Sequence, residues 1–100
     1  MKKVINGKMY NTETAEYIGN NWYSSPGQFD HVNEDLYRKR TGEFFLHGEG
    51  GPLTDWAEVC NDGAYAGSGI KPLTTDEAKQ WAEKHLDADS YVDLFGAVEE

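Results

Sequence analysis

Asp35-Leu36-Tyr37-Arg38-Lys39-Arg40-Thr41-Gly42-Glu43-Phe44-Phe45-Leu46-His47 decides the fold. Two runs rich in strand-forming residues flank Thr41-Gly42, which predicts a tight hairpin over 35–47 with Gly42 in a left-handed conformation. Leu36, Arg38 and Arg40 fall on one face of the first strand, and Tyr37 and Lys39 on the other. Phe44 and Leu46 oppose Phe45 and His47 in the same way. The second strand is thus apolar on both faces, which places it in the middle of a sheet. Gly48-Glu49-Gly50-Gly51-Pro52 is expected to end it.

Working back toward the N-terminus, Val4-Ile5-Asn6-Gly7-Lys8-Met9-Tyr10 is a second hairpin signal, spanning 3–10. Asn-Gly supplies the two positive φ angles of a type I′ turn. Glu16 to Tyr23 alternates as a strand, and Ser24-Ser25-Pro26-Gly27 ends it in a loop running to about Asn33. Working forward, Thr54 is expected to cap one short helical turn holding Trp56, Ala57 and Val59. Asn61 to Gly69 is small and glycine-rich, an irregular loop or a poor edge strand.

The last third is helical. Thr74 and Glu77 form a capping box after Pro72, and acids crowd the first turn, where the helix dipole favours them. Ala78, Trp81, Ala82, His85 and Leu86 recur as a stripe that packs on a sheet, over a helix at 75–86. Asp87 or Asp89 caps a second helix at 88–95, with Gly96 as its stop. The fold class is therefore α+β: a small antiparallel sheet covered on one face by C-terminal helices, in one domain over 1–100.

Composition narrows the function. Eighteen Asp and Glu face nine Lys and Arg, a net charge of −9. The excess concentrates in residues 74–100, which are the more acidic part of the chain. Such a surface repels nucleic acid and anionic membranes and attracts basic partners. The hydrophobic fraction of 38% is low, and aromatics at 13% supply much of the core. Cys60 is the lone cysteine, which fits a reducing compartment, and no signal-peptide core or long apolar run is present. A cytoplasmic protein is the expectation.

Candidate chemistry is sparse. His31, His47, Cys60 and His85 lack metal-ligand spacing. Cys60 with His47 and Glu49 is the best nucleophilic set available, but a thiol at the end of a helical turn has its pKa raised, not lowered. Gly48-Glu49-Gly50-Gly51 lacks the Lys-Ser/Thr of a phosphate loop. The carboxylate pairs Glu34-Asp35 and Asp87-Asp89 read as caps or solvated surface. Arg38-Lys39-Arg40 is a basic hairpin tip, a common device for solubility and edge protection. Lys79 and Lys84 are expected to pair locally with the acids of their helix, which leaves an excess along Glu83 to Glu100 that capping does not use.

Leu36 to Gly51 and Pro72 to Glu83, 28 residues in all, resemble short proteins carried by phages and mobile genetic elements of Firmicutes, the population from which anti-CRISPR proteins have been drawn. The resemblance implies a non-enzymatic inhibitor, with no cofactor, that binds a basic nucleic-acid-binding surface of an RNA-guided nuclease. Its own contact would be with protein, not with nucleic acid or membrane. The acidic face expected to make it is Asp76, Glu83, Asp87, Asp89 and Asp93, with Trp22 or Tyr23 as aromatic anchors. Two other readings stand beside it: an accessory protein–protein module acting through its sheet edge, and a small metalloprotein or hydrolase built on His47, Glu49 and Cys60.

Overall fold

A computed structural model describes residues 1–24 and 29–100. Ten elements follow along the chain: β1 Lys2–Ile5, β2 Lys8–Asn11, β3 Glu16–Tyr23, β4 Val32–Arg38, β5 Phe44–Gly50, β6 Glu58–Cys60, β7 Gly63–Tyr65, β8 Gly67–Leu73, α1 Thr75–His85 and α2 Ala88–Phe95. The expected stop at Ser24-Ser25-Pro26-Gly27 lies largely outside the described residues.

Four strands form the main sheet in the order β3-β4-β5-β8, antiparallel at every step. β5 is central, as its two apolar faces require. β1 and β2 form a separate hairpin, with Asn6 at φ 53° and Gly7 at φ 78° as the type I′ turn demands. Gly42 takes φ 92° in the turn between β4 and β5. The α+β architecture is the one the sequence implies, with two helices after the sheet.

Register assigns the faces. Leu36, Phe44 and Leu46 point to the helix side, where they meet Ala78, Trp81 and Trp56. A bulge between Tyr17 and Gly19 breaks the alternation of β3, and Ile18 packs against this same core. The opposite face carries Phe45 and Ile70, sealed by Tyr10 from the β1–β2 hairpin. On that side Tyr17, Tyr37, Phe45 and Tyr10 run as a chain of ring contacts, with centroids 5.3–5.8 Å apart.

Three local expectations are corrected. Gly48 to Gly50 continue β5 and do not end it, so His47 lies mid-strand. Both glycines make room for the segment that folds back over the strand: a Cβ on Gly48 would stand 2.9 Å from Cζ2 of Trp56, and one on Gly50 would run into the Thr54 hydroxyl and stand 3.0 Å from Cβ of Trp56. Thr54 caps no helical turn. Its Oγ1 donates to the Gly51 carbonyl at 2.8 Å and accepts from the Trp56 amide at 3.3 Å, stabilising a turn that folds Trp56 onto the sheet. Cys60 consequently ends a strand, is exposed, and feels no helix dipole. Residues 67–73, which Pro72 and three small residues disguise, form the edge strand β8.

Both helices start where expected. Thr74 Oγ1 accepts from the Glu77 amide at 3.1 Å, while the Glu77 carboxylate accepts from the Thr74 amide at 2.9 Å, completing the capping box. Asp87 accepts from the Ser90 amide at 2.7 Å and opens α2, and Gly96 at φ 94° closes it. Among the described residues no helix is long and apolar enough to cross a membrane.

Candidate functional site

Asp76, Glu83, Asp87, Asp89 and Asp93 are all exposed. Asp76 and Glu83 are seven residues apart, two helical turns, so they share the side of α1 opposite buried Ala78, Trp81 and Ala82. Asp89 and Asp93 stand one turn apart on α2. Among the described residues none of the five makes an ion pair within 4 Å, whereas Lys8 and Lys39 pair with Glu43, and Arg38 with Glu16. The expected local pairing by Lys79 and Lys84 is therefore corrected. The Lys79 ammonium lies 5.8 Å from the Phe95 ring, and Lys84 borders a cavity on the sheet side. Asp87 alone has an internal task, and the Ser90 amide that it caps holds its carboxyl below the usual range.

The structure brings some of these acids together and leaves others apart. Glu83 and Asp87 share a cleft of about 460 Å³ with Glu99, over a floor that includes Leu86, Tyr91 and Val98. Asp76 does not border this cleft, and neither do Asp89 and Asp93.

A second concavity, about 500 Å³, opens between the sheet and α1 beside Glu34. Glu34 is the polar centre of the helix-side core. Its Oε1 accepts from Trp81 Nε1 at 2.7 Å and from Asn21 Nδ2 at 3.2 Å, and its Oε2 accepts from Trp56 Nε1 at 2.9 Å. The carboxylate thus ties β3, α1 and the turn after β5 to β4. Lys71 stands 4.3 Å from the Trp56 ring centre and donates to the Asp55 carbonyl at 3.0 Å. His85 lies 4.9 Å, ring to ring, from Trp81. Burial pushes the imidazole pKa down, against an upward pull from Glu34, with Lys84 adding to the downward push. Held by three N–H donors from three separate elements, Glu34 serves as a structural clamp.

The expectation that Glu34 is a cap or solvated surface is corrected by this arrangement. Its signal was the register: β4 starts at Val32, so Glu34 shares the inward face of Val32 and Leu36. Asp35, next in sequence, points to the other face and accepts from Asn20 Nδ2 at 2.8 Å.

The remaining candidates do not converge. His47 and Glu49 lie on β5, while Cys60 lies on the separate β6–β7 hairpin. Among the described residues no group of three or more His, Cys, Asp or Glu is placed to hold a metal ion. The basic tip is partly neutralised, with Arg38 held by Glu16 at 2.6 Å and Lys39 by Glu43 at 3.5 Å. No protein-family model, no curated protein and no solved structure matches the chain.

Proposed function

We propose that this protein is a non-enzymatic binding protein whose acidic helical face occupies a basic, nucleic-acid-binding surface of a partner protein. One observation carries the reading: five exposed carboxylates on and between two adjoining helices lack a cation, although two lysines sit on α1. Like charges one turn apart, as at Asp89 and Asp93, cost an isolated helix roughly 0.2–0.5 kcal/mol. A surface that keeps such a cost suits a partner that supplies the cations. Carboxylates presented in this way compete with phosphate for Lys and Arg, and they speed association by long-range steering. The resemblance to phage and mobile-element proteins makes an RNA-guided nuclease the first partner to try, in an anti-CRISPR role within the cytoplasm.

The test is charge reversal at Asp76, Glu83 and Asp93, which leaves the Asp87 cap intact and takes the net charge from −9 to −3. Nuclease inhibition and partner capture from host lysate are measured at about 50 mM and about 300 mM salt. The proposal expects capture by the wild type that weakens with salt and is lost in the triple variant. Undiminished binding by the triple variant would overturn it.

A further inference from the structure

The cavity beside Glu34 is bordered by polar groups that the fold does not use. Its volume of about 500 Å³ falls in the range of small-molecule sites, and its lining reaches the buried Leu46, Trp56 and Trp81. One wall is α1, where Glu77, Gln80, Trp81 and Lys84 recur at i, i+3, i+4 and i+7 and so share a face. The other is the Asp55-Trp56 turn with Lys71 and Leu73 of β8.

The charges on these walls select the ligand. The carboxylates of Glu34, Asp55 and Glu77 and the ammonium groups of Lys71 and Lys84 border the same space. A lone anion meets the carboxylates. A lone cation meets the ammonium groups, and the Trp56 face that would attract it already carries Lys71, 4.3 Å from the ring centre. A molecule that carries both signs can answer both.

Two of these groups are open to it. Glu77 is taken by the Thr74 amide, and Lys71 stands on the far wall with the Asp55 carbonyl. Lys84, in contrast, makes no hydrogen bond or ion pair among the described residues. Glu34 accepts three hydrogen bonds where a carboxylate has room for about four, and its Oε2 carries only the Trp56 bond. The His85 imidazole feels Glu34 and Lys84 in opposite senses, so the open acceptor and the open donor lie at one end of the cavity.

We propose that this cavity binds a free α-amino acid with an apolar side chain. The ligand carboxylate pairs with Lys84, its ammonium donates to Glu34 Oε2, and its side chain rests against Val32, Leu46 and Leu73. Bound in this way, it adds a fourth donor to the clamp that seats α1.

Titration of the isotope-labelled full chain with L-leucine, L-phenylalanine and L-tryptophan, followed by its three indole N–H signals in two-dimensional NMR, tests the proposal. At least one of these amino acids should bind saturably, with a dissociation constant below about 1 mM. The Trp56 and Trp81 signals should move, and that of Trp22, on the opposite face of the sheet, should stay. The amine and the carboxylic acid that each lack one charge of the binding amino acid should bind at least about 10-fold more weakly. Lys84→Met keeps the aliphatic stem, removes the charge at an exposed position, and should weaken binding by about 10-fold. Lys3→Met, the same change on exposed β1, should leave binding unchanged. No shift with any of the three amino acids up to about 20 mM overturns the proposal. A single-charge analogue that binds as tightly does the same, as does unchanged binding by Lys84→Met. None of these results bears on the acidic face, because no partner protein enters the titration and all five acids stay in place.

Discussion

The two faces of the sheet are closed by opposite chemistry. On the hairpin side Phe45 is fully buried among Tyr10, Tyr37 and Ile70, and the seal is made of rings. On the helix side the apolar residues close around a carboxylate, and Glu34 holds two indole N–H groups that would otherwise lack a partner. Rings pack without regard to which polar atom sits where, so the hairpin face tolerates small shifts. The Glu34 clamp is directional. It sets the position of α1 through Trp81, and so decides where the acidic outer side of that helix is presented. The comparison teaches that binding surface and core are coupled on one side of this molecule and independent on the other.

Removing the central ring gives the largest expected effect. Phe45→Ala deletes a fully buried side chain and two ring contacts, which should cost about 3–5 kcal/mol in denaturant unfolding. Trp56 and Trp81 both lie on the other face, and Trp22, on the face of Phe45, is already 69% exposed to solvent, so native-state tryptophan emission should change little. A large native-state shift would break the claim that the faces are independent. Glu34→Ala comes next, at about 2–4 kcal/mol, because it strands the N–H groups of Trp56 and Trp81. Here emission should shift, since both indoles lose their acceptor. Glu34→Gln keeps one carbonyl acceptor and should fall between wild type and Ala. Equal losses for Gln and Ala would mean that hydrogen bonding is not what the clamp supplies.

Much of this was legible in the chain, and the exceptions share a cause. Turn chemistry is local, so Asn6-Gly7, Gly42, the Thr74 box and Gly96 could be read from neighbouring residues alone. Gly48 and Gly50 could not. Their lack of side chains serves Thr54 and Trp56 several residues on, and a glycine that makes room reads the same as a glycine that turns. β8 was hidden likewise, because its pairing with β5 is long-range and its composition is poor for a strand. For the candidate site, charge counting found the five acids, and their exposure follows from helical period. The Glu34 clamp was missed because its three donors come from separate elements far apart in sequence. The idle lysines were not legible because where they lie depends on tertiary packing: Lys79 stands over Phe95 of α2, and Lys84 borders the cavity beside Glu34.

The smallest effect expected sits at the joint between the helices, where the coupling of core to surface can be sharpened. Asp87 caps α2, and its Ser90 hydrogen bonds hold the carboxyl below its ordinary value of 3.8. A carboxyl with a depressed pKa in the folded state adds stability at pH above the unfolded value and loses it as pH falls through the folded one. Asp87→Ala should therefore lower the melting temperature by roughly 4 °C at neutral pH, and the gap to wild type should narrow, without closing, as pH falls below 3.8 and the charge is lost while the capping oxygen stays. Asp87→Asn keeps the capping oxygen without the charge, so it should stay near wild type at neutral pH. Because Asp87 also borders the cleft with Glu83 and Glu99, that variant separates its two tasks. If partner capture falls in Asp87→Asn while the melting temperature holds, the charge serves recognition. If both hold, Asp87 is a cap alone, and the recognition surface contracts to the acids that the helices do not use.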